Sequence, residues 1–157
     1  MRATSGTPTP ATGSASSDAA THAAPADSVL HLLDSTVLID FLRGRPAVRR
    51  VQLLRAAGDV PATTAINVEE IVRGLRAEEY AAAERLFAGL VIVPISEPEG
   101  WRAGRWRREF AARGITLWQA DCLIAAAAAR VRAPLATGNP KDFPMPGVDV
   151  QHWPVGE

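Results

Sequence analysis

Apolar runs alternate with amphipathic stretches along the chain from Val29 onwards. The apolar run 29–33 predicts a buried strand. Further short apolar or β-branched runs predict strands at 59–62, 91–95, 134–137 and 148–150. Helical periodicity predicts helices at 37–43, 47–57, 66–75, 78–90, 97–113 and 119–132. Strands alternating with helices indicate an α/β fold with a mainly parallel sheet and helices on both faces.

Two of these helices have apolar sides that predict core residues. On the helix over 47–57 the expected core side chains are Val48, Val51, Leu53 and Leu54. On the helix over 78–90 they are Tyr80, Leu86, Phe87 and Leu90. The helix over 119–132 is almost entirely apolar, so it is expected to be buried.

Residues 1–27 differ from the remainder because, apart from Met1, they include no large apolar side chain. Such a segment cannot bury enough surface to offset its ordering entropy. We predict a disordered low-complexity tail, or the product of a start codon assigned too far upstream, without a catalytic function. It also lacks the apolar core of a signal peptide.

Composition narrows the class of protein. The 157 residues suit one domain, and a hydrophobic content of 47% is enough for a buried core. The net charge of +0 does not mark a nucleic-acid binder, so such a role would need local patches. The single cysteine, Cys122, excludes an intramolecular disulfide and is expected to be a packing residue. These features, and the lack of an apolar run long enough to span a membrane, predict a cytoplasmic protein.

Two acidic residues stand out by their position. Asp34 closes the first apolar strand, at the edge where parallel α/β sheets form their sites. A charge there is costly unless it is paired or binds a metal. Asp121 opens the apolar helix over 119–132, where interaction with the helix dipole is the simpler explanation.

Glu70 and Asp142 are weaker candidates when taken alone. Glu70 lies on a predicted helix, where a solvated acid is ordinary, and Asp142 follows a short strand as a turn acid would. All four acids can nevertheless converge on one edge of the sheet, where they would repel one another unless a cation is bound. Acids without a His or Cys set favour Mg²⁺ or Mn²⁺ over zinc.

Four segments resemble the motifs of the PIN-domain family, and specifically its VapC-type toxins. They follow in the family's order and occupy the expected elements, at 33–40, 68–74, 120–126 and 135–143. In the second motif a Glu stands four residues before a Gly, which selects Glu70 over Glu69. The resemblance implies a three-layer α/β/α PIN domain over residues 28–157.

The resemblance also implies a metal-dependent endoribonuclease. Asp34 and Asp121 would bind Mg²⁺ or Mn²⁺ directly, Glu70 would bind it or orient water, and Asp142 would act through water or at a second metal. A metal-activated water would attack the RNA phosphodiester in line. The side chains that would orient acids or water, unless they serve only as structural caps, are Thr36, Thr137 and Asn139.

Two positions depart from the family pattern, and one further acid needs a separate interpretation. Thr36 stands where Asn or Ser is common, and Gly138 stands where Arg is common, which weakens any phosphate contact there. Asp40 follows Asp34 by six residues, and we predict a helix-face acid or an arginine partner.

Arginines provide candidate RNA contacts. Arg105 and Arg108 share one helix face with Trp101 and could bind phosphates beside a stacking aromatic, although a simple amphipathic helix with Trp106 and Phe110 packed inside is favoured. Arg43 and Arg45 follow the first helix and could contact RNA or pair with acids.

By resemblance, the partners would be an RNA substrate, a cognate VapB-type antitoxin and a second copy of the chain in a homodimer. Three alternatives remain. One is a housekeeping PIN nuclease of RNA processing without an antitoxin. Another is a non-enzymatic α/β interaction module. The third is a haloacid-dehalogenase-like phosphohydrolase, which would need an acid where Thr36 stands and a suitably placed lysine.

Overall fold

A computed structural model describes residues 28–156, so the predicted tail over 1–27 lies outside the described residues. Strands and helices alternate along the chain. The strands are β1 (Leu30–Leu33), β2 (Val60–Thr64), β3 (Val91–Val93), β4 (Leu135–Thr137) and β5 (Val150–His152). The helices are α1 (Ser35–Leu42), α2 (Ala47–Ala56), α3 (Ala65–Gly74), α4 (Tyr80–Ala88), α5 (Glu97–Ala111) and α6 (Gln119–Val131). Short 3₁₀ turns are formed by Ala77–Glu79 and Pro140–Asp142.

All five strands are parallel and lie in the order β3-β2-β1-β4-β5. The chain therefore builds the sheet outward from β1 in one direction, then crosses back and adds β4 and β5 on the other side. This reversal creates a topological switch point between β1 and β4, where parallel sheets form their binding crevice. The predicted α/β architecture with a parallel sheet is confirmed.

The period of two along each strand divides the core between the two faces of the sheet. Leu32 and Leu135 point into a cluster with α5 and α6, whereas Leu33 and Ala136 point into a cluster with α1 and α2. Helices thus cover both faces, which gives three layers. Helix α6 fits closely because its central side chains, from Ile124 to Ala128, are small or apolar and buried.

Three sequence-based predictions about the core and the elements need correction. Leu53 is 59% exposed and Tyr80 is 45% exposed, because α2 and α4 each bury a narrower side than their apolar residues suggested. The helix predicted over 78–90 begins with a 3₁₀ turn and continues as α4.

Among residues 28–156, no helix combines the length and apolarity that crossing a bilayer requires.

Candidate active site

Asp34 lies at the junction of β1 and α1, on the carboxyl edge of the sheet, and is 6% exposed. Its Oδ2 accepts hydrogen bonds from the hydroxyls of Thr36 and Thr137, both at 2.8 Å. Its Oδ1 accepts a longer bond, of 3.4 Å, from the amide of Asn67. These donors offset the cost of burying the carboxylate and hold it in one orientation.

Asn67 connects Asp34 to Glu70. Its Oδ1 accepts hydrogen bonds from the backbone N–H and the hydroxyl of Thr64, which caps α3. This fixes the amide so that its Nδ2 donates to the Ser35 hydroxyl at 2.9 Å. Ser35 in turn donates to Oε2 of Glu70. A buried polar network therefore orients two of the predicted acids together.

The loop after β4 places the third acid. The hydroxyl of Thr137 accepts a hydrogen bond from the backbone N–H of Asn139, and the Asn139 side chain donates to Oδ2 of Asp142 at 2.7 Å. The backbone N–H of Gly138 donates to the Thr36 hydroxyl at 2.9 Å. The three predicted supporting residues are thus hydrogen-bonded within this network, two of them to Asp34 and Asn139 to Asp142.

Asp121 lies in the first turn of α6 and is half-buried. Burial, followed by repulsion from Asp142, Asp34 and Glu70, raises its pKa from 3.8 to about 6. An effect of these three carboxylates requires that they lie near Asp121. The structure therefore brings all four predicted acids to one edge of the sheet, at the switch point.

The chemistry of these side chains fits a hard divalent cation. The acids supply only oxygen ligands, and their mutual repulsion would be offset by a bound positive charge. Within the described range 28–156, no three Asp, Glu, His or Cys side chains are grouped closely enough to form a complete metal centre. Mg²⁺ keeps several waters when bound and usually takes only one or two carboxylates from the protein.

Cys122 follows Asp121 but points into the core and is 0% exposed. Burial raises the pKa of its thiol to about 11, the nearby Asp121 carboxylate adds to the rise, and the Arg107 guanidinium partly offsets it. A thiol with so high a pKa is a poor nucleophile. The predicted packing role is confirmed.

The candidate arginines occupy different surfaces. Arg43 lines a cavity of about 270 Å³ together with Glu70, one of the four acids. Arg45 is exposed, and its guanidinium lies in space beside Gly156. Arg105 and Arg108 line a groove on α5 with Trp101, and none of the four acids contributes to that groove. The predicted packing of that helix is confirmed, since its inner aromatic side chains, Trp106 and Phe110, are buried.

Asp40 has a role that differs from the predicted one. It is 2% exposed, and its carboxylate accepts hydrogen bonds from the backbone N–H groups of Ala47 and Gly156. The first backbone N–H groups of a helix have no partner within the helix and need an acceptor from elsewhere. The turn between α1 and α2 brings the first N–H of α2 against Asp40, which supplies that acceptor. Arg50 also binds this region, by donating to the carbonyl of Pro154.

Sequence reasoning selected neither Asn67 nor Ser35 as a site residue. One signal was available, because Thr64 and Asn67 have the spacing of a reciprocal capping box, in which the third helical side chain bonds back to the cap. The bonds of Asn67 to Ser35 and Asp34 depend on the packing of α3 against α1. No local pattern indicates that packing.

The departure at Gly138 has a structural reason in residues 153–156, which we call the strap. The backbone N–H of residue 153 donates to the carbonyl of Thr137, and the strap then passes over the loop after β4. A β-carbon on Gly138 would lie 2.8 Å from Cγ2 of Val155 and 3.3 Å from the Thr36 hydroxyl. The close approach of the strap therefore disfavours a side chain at position 138.

Gly138→Ala is expected to lower the free energy of unfolding by about 1 kcal/mol, because the added methyl group would overlap Val155. Val155→Ala in the same chain should recover most of this loss by removing the atoms that clash. Urea unfolding of the wild type, both single variants and the double variant measures the coupling. Strictly additive losses would show that the contact does not exist.

Comparison with known proteins gives one family and a consistent set of relatives. Residues 31–144 match the family model "PIN domain". The chain is 33% identical to Ribonuclease VapC19 of Mycobacterium tuberculosis (strain ATCC 25618 / H37Rv) over 118 residues, which cover 74% of this chain and 94% of the relative. It is 36% identical to Ribonuclease VapC10 of the same strain over 115 residues, covering 73% and 86%.

Solved structures agree with the sequence relatives. A chain of a toxin–antitoxin complex from Klebsiella pneumoniae superposes with a TM-score of 0.57 at 31% identity, covering 75% of this chain and 94% of that one. A chain of VapBC2 from Rickettsia felis, bound to a promoter DNA fragment, has a TM-score of 0.69 at 22% identity, covering 80% and 99%. At that lower identity the likeness shows the fold alone.

Proposed function

The chain belongs to the PIN-domain family, and on that basis we propose that it is a metal-dependent endoribonuclease and the toxin of a VapBC-type pair. Its sequence relatives carry the name ribonuclease. The observation that carries the proposal is the hydrogen-bond network that links Asp34 to Glu70 and to Asp142 at the carboxyl edge of the sheet. That site lies at the switch point of a parallel sheet, where chemistry is expected.

Asp34 and Asp121 are the proposed direct ligands of Mg²⁺ or Mn²⁺, Glu70 a ligand or a water-orienting group, and Asp142 a group that acts through water. When bound, the cation would act as a Lewis acid and lower the pKa of water, so that hydroxide is available near neutral pH. The chain's contribution is the orientation of its acids. The Thr36 and Thr137 hydroxyls hold one oxygen of Asp34.

The remaining hydrogen bonds complete this preorganisation. Ser35 fixes one oxygen of Glu70, and Asn139 fixes one oxygen of Asp142. Because the acids are held before substrate binds, little reorganisation is needed when charge develops on the phosphate. Arg43, which lines a cavity with Glu70, is the proposed phosphate contact among the four arginines selected from the sequence.

We extend the proposal to partners. A VapB-type antitoxin would bind and inhibit this chain, and two copies would form a homodimer in the cytoplasm; toxin–antitoxin complexes among the structural neighbours support the first assignment. Co-purification with the product of an adjacent small reading frame tests the antitoxin, and light scattering of the free chain tests the homodimer. A housekeeping nuclease would have no such neighbour.

The activity is tested with the purified full chain and an end-labelled pool of randomised single-stranded RNA. We expect cleavage with Mg²⁺ or Mn²⁺, loss of cleavage in excess EDTA, and recovery when metal is restored. Because water is the attacking group, 2′-O-methylation at the cleaved bond should leave cleavage intact, with no cyclic phosphate formed.

Two results would reject the proposal in separate parts. Cleavage that is undiminished in excess chelator would reject the metal mechanism but keep the nuclease. A pool left intact with both metals would reject the ribonuclease itself. DNA of matched composition serves as the control substrate.

A further inference from the structure

Trp118 is unusually exposed for so large an apolar side chain. It is 75% exposed, the highest value among the large hydrophobic residues described over 28–156. Trp106, on the neighbouring helix, is only 7% exposed and packs in the core. Leaving an indole in water forgoes the stabilisation that burial would give, and Trp is enriched at binding interfaces because it combines a large apolar ring with a polar N–H.

The proposed active site lies directly beside Trp118. Trp118 is the N-cap residue of α6, and Asp121 is the third residue of that helix. The N-cap and the third helical residue lie within one turn of each other, close enough for the side chain of one to reach the backbone of the other. Trp118 is therefore at the rim of the acidic cluster, within one helical turn of Asp121.

Arg107 adds a positive charge at the same rim. It projects from α5, and its Nε donates a hydrogen bond of 3.3 Å to the carbonyl of Leu117, the residue before Trp118. The side chain is exposed. Within residues 28–156 no carboxylate forms an ion pair with it, so its charge is not neutralised by the protein.

An RNA nuclease with four carboxylates at its centre needs attractive contacts around them, because the acids repel the phosphates of the substrate. An aromatic face binds any unpaired base by stacking, and a guanidinium binds a phosphate. A stacking group and a cation beside one another match the repeating unit of single-stranded RNA.

We propose that Trp118 and Arg107 form a substrate subsite that holds one nucleotide of single-stranded RNA next to the acids. Trp118 stacks on the base, and Arg107 binds the adjacent phosphate. The inference rests on the proposed ribonuclease function and deepens it by naming the residues that select an unpaired nucleotide. Since stacking is stronger for purines, cleavage should favour a purine at one fixed position from the cut.

Steady-state cleavage of a single-stranded RNA oligonucleotide in Mg²⁺ tests the subsite. Trp118→Ala should raise KM about 5- to 100-fold with little change in kcat, and Trp118→Phe should retain most of the affinity. The purine preference, read by sequencing cleaved ends of a randomised pool, should disappear in Trp118→Ala. Tyr80→Ala, which removes an exposed aromatic group from α4, is the matched control and should behave as wild type.

Arg107 is tested by salt dependence. Arg107→Ala should reduce the slope of log affinity against log salt by about 0.7, whereas Arg107→Lys should keep it, because one phosphate contact is lost or retained. Arg85→Ala on α4 is the control, since Arg85 is also exposed.

The outcomes separate the subsite from the function. If wild type cleaves RNA and both alanine variants match it in KM, end preference and salt slope, the subsite is wrong while the nuclease stands. The same holds if Trp118→Ala weakens only binding of a protein partner. If wild type neither cleaves nor binds RNA, the function fails and the subsite fails with it.

Discussion

Asp34→Asn is expected to reduce RNA cleavage by about 10³-fold or more, because it removes a negative charge from the proposed metal site. The amide is nearly the same size as the carboxylate and can still accept hydrogen bonds from Thr36 and Thr137, so the fold should persist. Single-turnover cleavage rates at saturating Mg²⁺ measure the loss, and thermal unfolding verifies the fold.

Asp40→Asn is the matched control for this variant. Asp40 is a second buried aspartate, within α1, and among residues 28–156 its carboxylate accepts hydrogen bonds only from the backbone amides of residues 47 and 156. Its replacement should cost about 1–3 kcal/mol of stability, because a charged acceptor is lost. Cleavage by this variant should stay within about tenfold of wild type, once folded protein is compared. An equal loss of cleavage in both variants would show that burial of charge, not chemistry, explains the effect.

Asp121→Asn is expected to have opposite effects on activity and stability. Cleavage should fall to a level similar to that of Asp34→Asn, because a proposed ligand is lost. The metal-free protein should become more stable at high pH. The pKa of Asp121 rises from 3.8 to about 6 on folding, so the folded state binds more protons than the unfolded state between these values.

The sign of the pH dependence follows from that difference. In the wild type, stability falls as pH rises from about 4 to about 6, and the full cost is present above pH 6. Asn has no charge to lose. Because Asp121 is half-buried, solvent screening reduces the gain to about 1 kcal/mol, or about 2–4 °C in Tm for a domain of this size.

Thermal unfolding in EDTA at about pH 4 and about pH 8 measures this gain. The Tm values of variant and wild type should agree at the lower pH and differ at the higher one. Adding Mg²⁺ should stabilise the wild type more than the variant, since ligand binding stabilises the folded state. A variant that is no more stable than wild type at high pH would contradict the burial and repulsion that raise the pKa of Asp121.

The sequence predicts the sheet and the positions of Asp34 and Asp121 because these follow from local patterns. Glu70 and Asp142 were selected through the resemblance to the PIN-domain motifs. The apolar run before Asp34 and the apolar helix after Asp121 are each continuous in sequence, and the rule for parallel sheets says which edge carries the site. The strand order itself depends on how helices pack on the two faces. Thr137 could therefore be proposed as a supporting residue, but its bond to Asp34 could not be derived.

Surface exposure was harder to predict than the core strands. Leu53 and Tyr80 are apolar but exposed, since the surface of a folded domain always includes apolar atoms. Asp40 shows the converse, because its partners are backbone amides that no residue pattern reveals. Trp118 was equally inaccessible to sequence reasoning, as its importance lies in exposure beside a site, which only packing determines.

The buried thiol of Cys122 has a practical consequence for following the protein's motions. It is the only cysteine in the chain and has no solvent exposure, so a thiol reagent can reach it only after α6 separates from the sheet. Its labelling rate therefore reports how often that helix opens, and no probe has to be introduced into the chain. Because Asp121 is its neighbour, a cation bound at Asp121 should lower the labelling rate of Cys122. Metal occupancy can then be measured even in variants that no longer cut RNA.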